Sequence, residues 1–325
     1  MKAIVCPKYG RPEVLQLKEV DKPAPKNNEV LIRIIRATVT AGDCEVRRFD
    51  FPSWLWLLAR LGFGIRGPRQ QILGQELAGE IEAVGEDVTR FKPGDQVFGS
   101  TGFGLGAYAE YNCVPELGDG AIVLKPSNLT FDEVAVIPTG GITAIHFLRK
   151  GNIQGGQKVL INGAGGSIGT ISVQLVKHWG AEVTAVDSAQ KLDMLRSIGA
   201  DHVIDYTKED FSDRGETYDV IFDVVGKAAW LSVTKSLTEN GIYLCGYPTV
   251  SRSLRGRLMA WRSNRTYIGG SASDNIEDLE YLAELFEAGT IKSVIDRSYP
   301  LEEMVDAHRY VESGQKIGNV VVTVE

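Results

Sequence analysis

The chain has few of the residues from which disulfide and metal sites are built. It contains only 4 cysteines and 4 histidines in 325 residues. The cysteines are far apart in the sequence and form no Cys-x-x-Cys pair: Cys6, Cys44, Cys113 and Cys245. This spacing excludes a disulfide framework and a zinc knuckle.

Basic charge and long apolar runs are also scarce. Lys and Arg number 35 against 42 Asp and Glu, which gives a net charge of −7. Phosphate contacts need clustered basic residues, so we expect no nucleic-acid partner. No apolar run approaches the ~20 residues of a membrane-spanning helix, and the first residues lack the apolar region of a signal peptide. We therefore expect a cytoplasmic protein without stable membrane insertion.

Glycine and core-forming residues are abundant. The chain has 36 glycines, and 43% of its residues are hydrophobic. Its length corresponds to about two domains at ~150 residues each. Residues 29–39, 78–84 and 96–98 are typical of short strands between turns. They predict a β-rich, barrel-like first domain.

From about Phe131 onward, strand and helix patterns alternate. The predicted strands are 158–162, 182–187, 202–205, 220–225 and 241–246. Such alternation predicts an α/β fold with a doubly wound parallel sheet. The C-terminal part adds helices at 276–288 and 301–312 and a strand at 319–324.

A glycine-rich turn between a predicted strand and a predicted helix carries the strongest chemical signal. It runs Gly-Ala-Gly-Gly-Ser-Ile-Gly from Gly163 to Gly169. Such a turn lets backbone N–H groups reach a pyrophosphate at a helix N-terminus. The dinucleotide-binding residues predicted here are Gly163, Gly165, Gly166, Ser167 and Ile168. The alternative is a tight turn without a ligand.

Two charged residues beyond this turn favour different cofactors. Asp187 ends the next strand, where an acid binds the ribose 2′-OH and favours NAD. Lys191 follows four residues later and would pair with the 2′-phosphate of NADP, unless it is a solvated helix charge. The residues alone leave the choice open.

Several separated motifs resemble the medium-chain dehydrogenases/reductases. The pattern from Gly74 to Val88, Gly-Gln-Glu-x2-Gly-x5-Gly-x2-Val, is similar to their Gly-His-Glu signature. The turn at Gly163, spelled Gly-x2-Gly-x2-Gly, resembles their zinc-independent, zeta-crystallin-like quinone oxidoreductase branch. The resemblance implies a GroES-like catalytic domain of residues 1–122 and 266–325 around a Rossmann domain of residues 123–265. It also implies NADPH in a cleft between them, and a homodimer.

The same resemblance assigns cofactor contacts residue by residue. Thr143 corresponds to a threonine beside the nicotinamide, and Ser188, Lys191 and Tyr206 correspond to contacts of the 2′-phosphate. The other positions at which the family contacts its cofactor are Val225, Gly226, Gly246, Gly269 and Asn319. NADP(H) is therefore the expected cofactor. Asp187 keeps NAD(H) open, because the branch often has a small residue there.

The ligands of a catalytic zinc are missing from the positions that the superfamily uses. Gln75 replaces the signature histidine and Asp43 replaces the usual cysteine, whereas Glu76 keeps the signature glutamate. Without a Lewis acid, hydride transfer to an electrophilic acceptor is easier than oxidation of an unactivated alcohol. We expect a zinc-free NAD(P)H-dependent reductase of quinones or α,β-unsaturated carbonyls. The alternatives are a zinc-free alcohol/aldehyde dehydrogenase and a non-catalytic NADPH-binding sensor.

Three residues are the catalytic candidates: Thr40, Asp43 and Arg47. Thr40 would hydrogen-bond a carbonyl oxygen and Arg47 would bind an oxyanion, although a packed or solvated side chain is an equal alternative for each. The asparagine and two tyrosines of the quinone branch correspond here to Thr40, Glu45 and Phe51. We therefore expect a different acceptor.

Two segments have unusual composition. Ser53–Phe63 contains two tryptophans and four leucines, and could be a lid, a dimer contact, a membrane-surface helix or a packed helix. Ser251–Arg265 contains five arginines around Leu258, Met259 and Trp261. It could touch a membrane or an anionic substrate tail, or be a solvated face with one packed side.

Overall fold

The computed structural model describes residues 1–50 and 56–325, which fold into two compact units. The first unit comprises Met1–Thr139, Asp274–Glu287 and Ile295–Glu325, and the second comprises Gly140–Ser273 and Ala288–Val294. The expected boundaries, after residues 122 and 265, differ from these. The reason is that residues 131–135 form a helix against the first unit's sheet, whereas residues 266–269 are a strand of the second unit's sheet.

The helices and strands follow in chain order. Residues 1–137 contain β1 (Lys2–Val5), β2 (Gln16–Glu19), β3 (Glu29–Thr38), α1 (Ala41–Arg48), α2 (Trp56–Phe63), β4 (Glu76–Val84), β5 (Gln96–Ser100), β6 (Tyr111–Pro115), β7 (Ala121–Leu124) and α3 (Phe131–Ala135). Residues 138–273 contain α4 (Pro138–Lys150), β8 (Lys158–Asn162), α5 (Ser167–His178), β9 (Glu182–Asp187), α6 (Leu192–Ser197), β10 (His202–Asp205), β11 (Tyr218–Asp223), α7 (Trp230–Ser236), β12 (Leu237–Cys245), α8 (Val250–Arg262) and β13 (Thr266–Gly269). The remainder contains α9 (Ile276–Glu287), β14 (Ile295–Pro300), α10 (Met304–Glu312) and β15 (Asn319–Thr323).

The first unit is built on a mixed sheet of seven strands. Their order is β14-β15-β3-β4-β5-β7, with β6 also paired to β3. The sequence of β3, EVLIRIIRAT, is rich in β-branched residues, which suit a pleated and buried surface. Its apolar side chains join those of β4, β5, β15 and α10 in one buried core. The prediction of a β-rich first domain is confirmed.

The second unit is built on a parallel sheet of six strands in the order β10-β9-β8-β11-β12-β13. This is the strand order of a doubly wound dinucleotide-binding sheet. Successive strands are added on one side of β8 up to β10, and then on its other side from β11 to β13. The predicted α/β fold class is confirmed. The strands predicted at 158–162, 182–187 and 202–205 coincide with β8, β9 and β10.

Sequence patterns did not reveal α8 as a helix or β13 as a strand. The large apolar side chains of α8 point outward, so the usual core-facing stripe is missing from its pattern. No helix among the described residues is long and apolar enough to span a membrane.

Candidate functional site

The predicted cofactor residues of the second unit come from different strands but share one edge of its sheet. Each follows or ends a parallel strand: Gly163 after β8, Asp187 on β9, Tyr206 after β10, Val225 and Gly226 after β11, Gly246 after β12 and Gly269 on β13. Carboxyl ends of parallel strands meet at the same edge, which is where ligands bind in doubly wound sheets. The structure therefore brings together positions that are up to about a hundred residues apart in the chain.

The glycine-rich turn needs glycine for two different steric reasons. Gly163 has φ of +86°, and a Cβ there would lie 2.7 Å from Val225 Cγ1. A Cβ on Gly169 would lie within 2.5 Å of the backbone of Ala164, so α5 can pack on β8 only without a side chain. The glycines thus set the backbone path between strand and helix.

A dinucleotide phosphate fits the opening of α5. Gly166 is the N-cap residue, and no described side chain caps this helix of 12 residues. No described atom outside its own neighbours lies within 4 Å of the position that a Gly166 Cβ would take. The space beside Gly166 is therefore open at the positive end of the helix dipole, which suits a pyrophosphate.

Asp187 and Lys191, which favoured different cofactors in the sequence, bind each other. The Lys191 Nζ lies 3.1 Å from Asp187 Oδ1, and both side chains are buried. The Asp187 carboxylate also accepts hydrogen bonds of 2.8 Å from the N–H groups of Gly165 and Ser188. It therefore holds the glycine-rich turn as well as neutralising the lysine.

Three other predicted contacts have distinct placements. Tyr206 is exposed, and its N–H donates to the Asp187 carbonyl, so it lies beside the end of β9. Thr143 lies on α4, one turn after Gly140, whose backbone packs closely against Ser167. Asn319 begins β15 and belongs to the first unit.

No local sequence pattern indicated a role for Asp223, which organises the loop after β11. This fully buried carboxylate accepts hydrogen bonds from Asn162 Nδ2 at 2.8 Å, from the Tyr243 hydroxyl at 3.0 Å and from the Ala228 N–H at 3.1 Å. Arg252 of α8 pairs with it at 3.3 Å. Asp223 thereby fixes the loop that carries Val225 and Gly226, and only the fold brings these partners together.

In the first unit, Glu76 is a buried carboxylate between two threonines. It accepts hydrogen bonds from the Thr38 hydroxyl and, at 2.7 Å, from the Thr139 N–H. The antiparallel register of β3 with β4 places Thr38 beside it. Burial raises the Glu76 pKa to about 7, so the group changes its protonation near neutral pH.

Thr40 and Asp43 form a reciprocal cap on α1. The Thr40 N–H and hydroxyl donate to Asp43 Oδ2 at 2.8 and 2.7 Å, and the Asp43 N–H donates back to the Thr40 hydroxyl at 3.2 Å. Both are buried, and burial raises the Asp43 pKa. This capping box satisfies the first turn of α1 and engages the hydroxyl proton of Thr40.

Arg47 lies inside the first unit. Its side chain has no exposed surface, forms an ion pair with Glu312 of α10 and donates to the Gly10 carbonyl at 3.0 Å. The geometry favours a structural role for Arg47. Its role in oxyanion binding stays a prediction, as do the catalytic roles of Thr40 and Asp43.

A buried thiol–imidazole pair lies between α1 and α10. Cys44 Sγ is 3.3 Å from His308 Nδ1. Burial raises the Cys44 pKa to about 12 and lowers the His308 pKa to about 3, so both are neutral at physiological pH. Within the described ranges, no three His, Cys, Asp or Glu side chains form a group that could hold a metal ion.

Part of one unusual segment, and one aligned position, lie outside the described residues. These are residues 53–55 of the segment Ser53–Phe63, and Phe51. The remainder of that segment forms α2, on which Trp56, Leu57 and Leu58 are exposed.

Comparisons with known proteins agree with both units. Residues 26–126 match the alcohol dehydrogenase GroES-like domain, and residues 198–322 match a family described as zinc-binding dehydrogenase. The chain is 33% identical to the 2-methylene-furan-3-one reductase of Solanum lycopersicum, over 99% of this chain and 79% of that protein. It is 31% identical to the chloroplastic NADPH-dependent alkenal/one oxidoreductase of Arabidopsis thaliana, with the same coverage. The structure of the quinone oxidoreductase from Coxiella burnetii superposes with a TM-score of 0.89 at 30% identity, covering 100% of this chain and 99% of that one.

Proposed function

The chain belongs to the medium-chain dehydrogenases/reductases, in the quinone oxidoreductase branch, and we propose that it reduces α,β-unsaturated carbonyls or quinones with NADPH and without zinc. The observation that carries the proposal is the structural role of Asp43 at the start of α1. This residue stands where zinc-dependent relatives have a cysteine, and its carboxylate caps α1 through Thr40. The second unit keeps the glycines of a dinucleotide-binding turn, whereas the first unit has Asp43 in place of the cysteine that would bind a metal.

In this mechanism, the residues of the chain bind the cofactor and orient it toward the acceptor. The N–H groups at the N-terminus of α5 would hold the pyrophosphate, because those of Gly163, Ala164 and Gly165 already donate within the second unit. When bound, the nicotinamide cofactor supplies a hydride to the electrophilic carbon of the acceptor. A proton from water completes the reduction, so that an enone becomes a saturated ketone. The acceptor is electrophilic by itself, so positioning and exclusion of water are the main demands on the protein.

The test is NADPH oxidation by chelator-treated enzyme with quinones, enones and saturated aldehydes, together with a metal analysis of the same sample. We expect turnover of quinones or enones by metal-free protein. Activity that appears only when zinc is restored would overturn the zinc-free mechanism. Tight NADPH binding without turnover of any acceptor would instead identify a non-catalytic binding protein.

We also propose a homodimer in a reducing, cytoplasmic compartment. The family resemblance supports the dimer, and four unpaired cysteines, three of them buried, support the compartment. Sedimentation of the purified protein tests the dimer. A monomer at micromolar concentration would contradict it.

A further inference from the structure

Helix α8 exposes its large apolar side chains. The exposed fractions are 46% for Val250, 62% for Leu254, 44% for Leu258 and 80% for Trp261. Their spacing of four, four and three residues places them in one stripe along a helix of about 3.6 residues per turn. A surface helix of a globular protein normally turns such a stripe toward the core. Helix α9 does so with Leu279, Leu282 and Phe286.

The opposite face of α8 already attaches the helix to the second unit. Gly256 and Met259 are buried there, and a Cβ on Gly256 would collide with the ring of Tyr267 on β13. Arg252 donates to the Tyr243 hydroxyl at 2.7 Å and to the Ala228 carbonyl at 2.9 Å. The helix is therefore fixed without its outer stripe, and these apolar residues are not needed for the core.

Arginines flank the stripe on both sides. At about 100° per residue, Arg257 lies about 20° before Val250, and Arg262 and Arg255 lie about 40° and 60° beyond Leu258. All three are exposed, and none forms an ion pair with any residue that the structure describes. The helix sequence, VSRSLRGRLMAWR, contains no Asp or Glu. This positive helix contrasts with the net charge of −7 of the whole chain.

We propose that α8 docks the protein on an anionic lipid surface. Leu254, Leu258 and Trp261 would enter the boundary between headgroups and acyl chains, and the flanking arginines would contact lipid phosphates. An apolar stripe bordered by basic residues, with tryptophan at the interface, is the pattern of helices that lie in the plane of a membrane surface. The 13 residues of α8 are too few to cross a bilayer, so the contact is peripheral.

Charge favours lipid over a second copy of the chain. A symmetric contact through α8 would bring the flanking arginines of two copies close together, and the helix has no Asp or Glu to neutralise them. Lipid phosphates neutralise these charges while the acyl boundary covers the stripe. An anionic lipid surface therefore suits both the arginines and the apolar stripe of α8.

The test is co-sedimentation of the full chain with vesicles of phosphatidylcholine alone or mixed with phosphatidylglycerol. We expect binding to the mixed vesicles only, weakened by added salt. Leu254→Gln should weaken this binding, and the double variant Arg257→Gln/Arg262→Gln should weaken it by ~10-fold or more. Binding that is equal for both vesicle types, or absent from both, would overturn the proposal.

A matched control separates docking from general exposure of apolar surface. Leu117 is 63% exposed on a loop of the first unit, against 62% for Leu254, so Leu117→Gln should bind vesicles as the unaltered protein does. Anionic vesicles should shift Trp emission to the blue in the unaltered protein but not in Trp261→Phe. An equal effect of both leucine substitutions would contradict docking through α8.

Two further measurements exclude misfolding and self-association. Thermal unfolding and NADPH binding of each variant report whether the second unit is intact. A concentration-dependent oligomer that Leu254→Gln dissociates, without vesicle binding, would assign the stripe to a second copy and overturn the proposal. Because no acceptor is present in these assays, their outcome does not depend on the proposed reductase activity.

Discussion

The two units position their candidate functional groups by different means. In the second unit, most of the predicted cofactor contacts are backbone positions, and the glycines determine the path of that backbone. In the first unit, the candidates are side chains, and each is already bonded within the unit: Thr40 to Asp43, Arg47 to Glu312 and Glu76 to Thr38. A residue type at a family position is therefore stronger evidence for a site made of backbone than for one made of side chains.

The largest expected effect comes from removing Arg47. Arg47→Ala leaves Glu312 with a weaker partner, Arg48 at 3.4 Å, and deletes a fully buried side chain. We expect a loss of about 3–5 kcal/mol in the free energy of unfolding, measured by urea denaturation. NADPH binding by the folded fraction should be unchanged.

Two variants distinguish this structural role from oxyanion binding. Arg48→Ala removes a half-exposed arginine that approaches the same carboxylate, and should cost less than ~1 kcal/mol. Arg47→Ala protein that keeps its stability but loses kcat would restore Arg47 as a catalytic residue. It would also remove the contrast between the two units.

Substitutions of two glycines in the same turn distinguish effects on stability from effects on cofactor binding in the second unit. Gly169→Ala places a methyl group against the backbone of Ala164 and should cost ~3 kcal/mol of stability, with loss of NADPH binding. Gly166→Ala places the same group in open space and should cost less than ~1 kcal/mol, yet weaken NADPH binding. Urea denaturation and fluorescence titration give the two quantities. Unchanged affinity in Gly166→Ala would show that the phosphate does not lie there.

Backbone features could be predicted from the sequence, whereas the partners of buried side chains could not. Strand and glycine spacing predicted β8, β9 and the turn between β8 and α5, because local backbone geometry depends on local sequence. The partners of Asp223 come from β8, β12 and α8, so no local pattern could indicate them. Thr40 and Asp43 were identified as candidates, but the capping box that joins them was not anticipated. Arg47 meets Glu312 across 265 residues of sequence, which only the fold determines.

Glu76 should make the stability of the first unit depend on pH. Its pKa in the folded protein, about 7, lies above the ordinary value of 4.5, because burial disfavours the carboxylate. The protonated group therefore contributes stability below pH 4.5, and that contribution is lost as the pH rises through 7. The full loss is as much as roughly 3 kcal/mol. Glu76→Gln keeps the shape without the charge, so its stability relative to the unaltered protein should rise between pH 4.5 and 8.

The difference between the two proteins must be measured because other groups titrate as well. The pKa of His308 is lowered to about 3, so this residue removes stability as the pH falls below 6.5, opposite to Glu76. Subtracting the two stability curves cancels that contribution. Glu80→Gln, on the same strand at a partly exposed position, is the control. If the stability difference between Glu76→Gln and the unaltered protein does not vary with pH, burial does not raise the pKa of this carboxylate.

The smallest expected effect concerns the ion pair of Asp187 and Lys191, which lies among the predicted cofactor residues of the second unit. The charge of Asp187 would compete with a 2′-phosphate for Lys191, since both anions would pair with the same ammonium group. Asp187→Asn should therefore shift the ratio of NADPH to NADH affinity upward by ~10-fold, and Lys191→Ala should shift it downward by a similar factor, or about 1.4 kcal/mol each. Fluorescence titration with both cofactors measures the ratio. Opposite shifts would show that this ion pair sets cofactor preference, while the glycine turn binds either cofactor. Equal losses for both cofactors would mean that the pair only supports the turn through the Gly165 N–H, and that the second unit recognises its ligand through backbone alone.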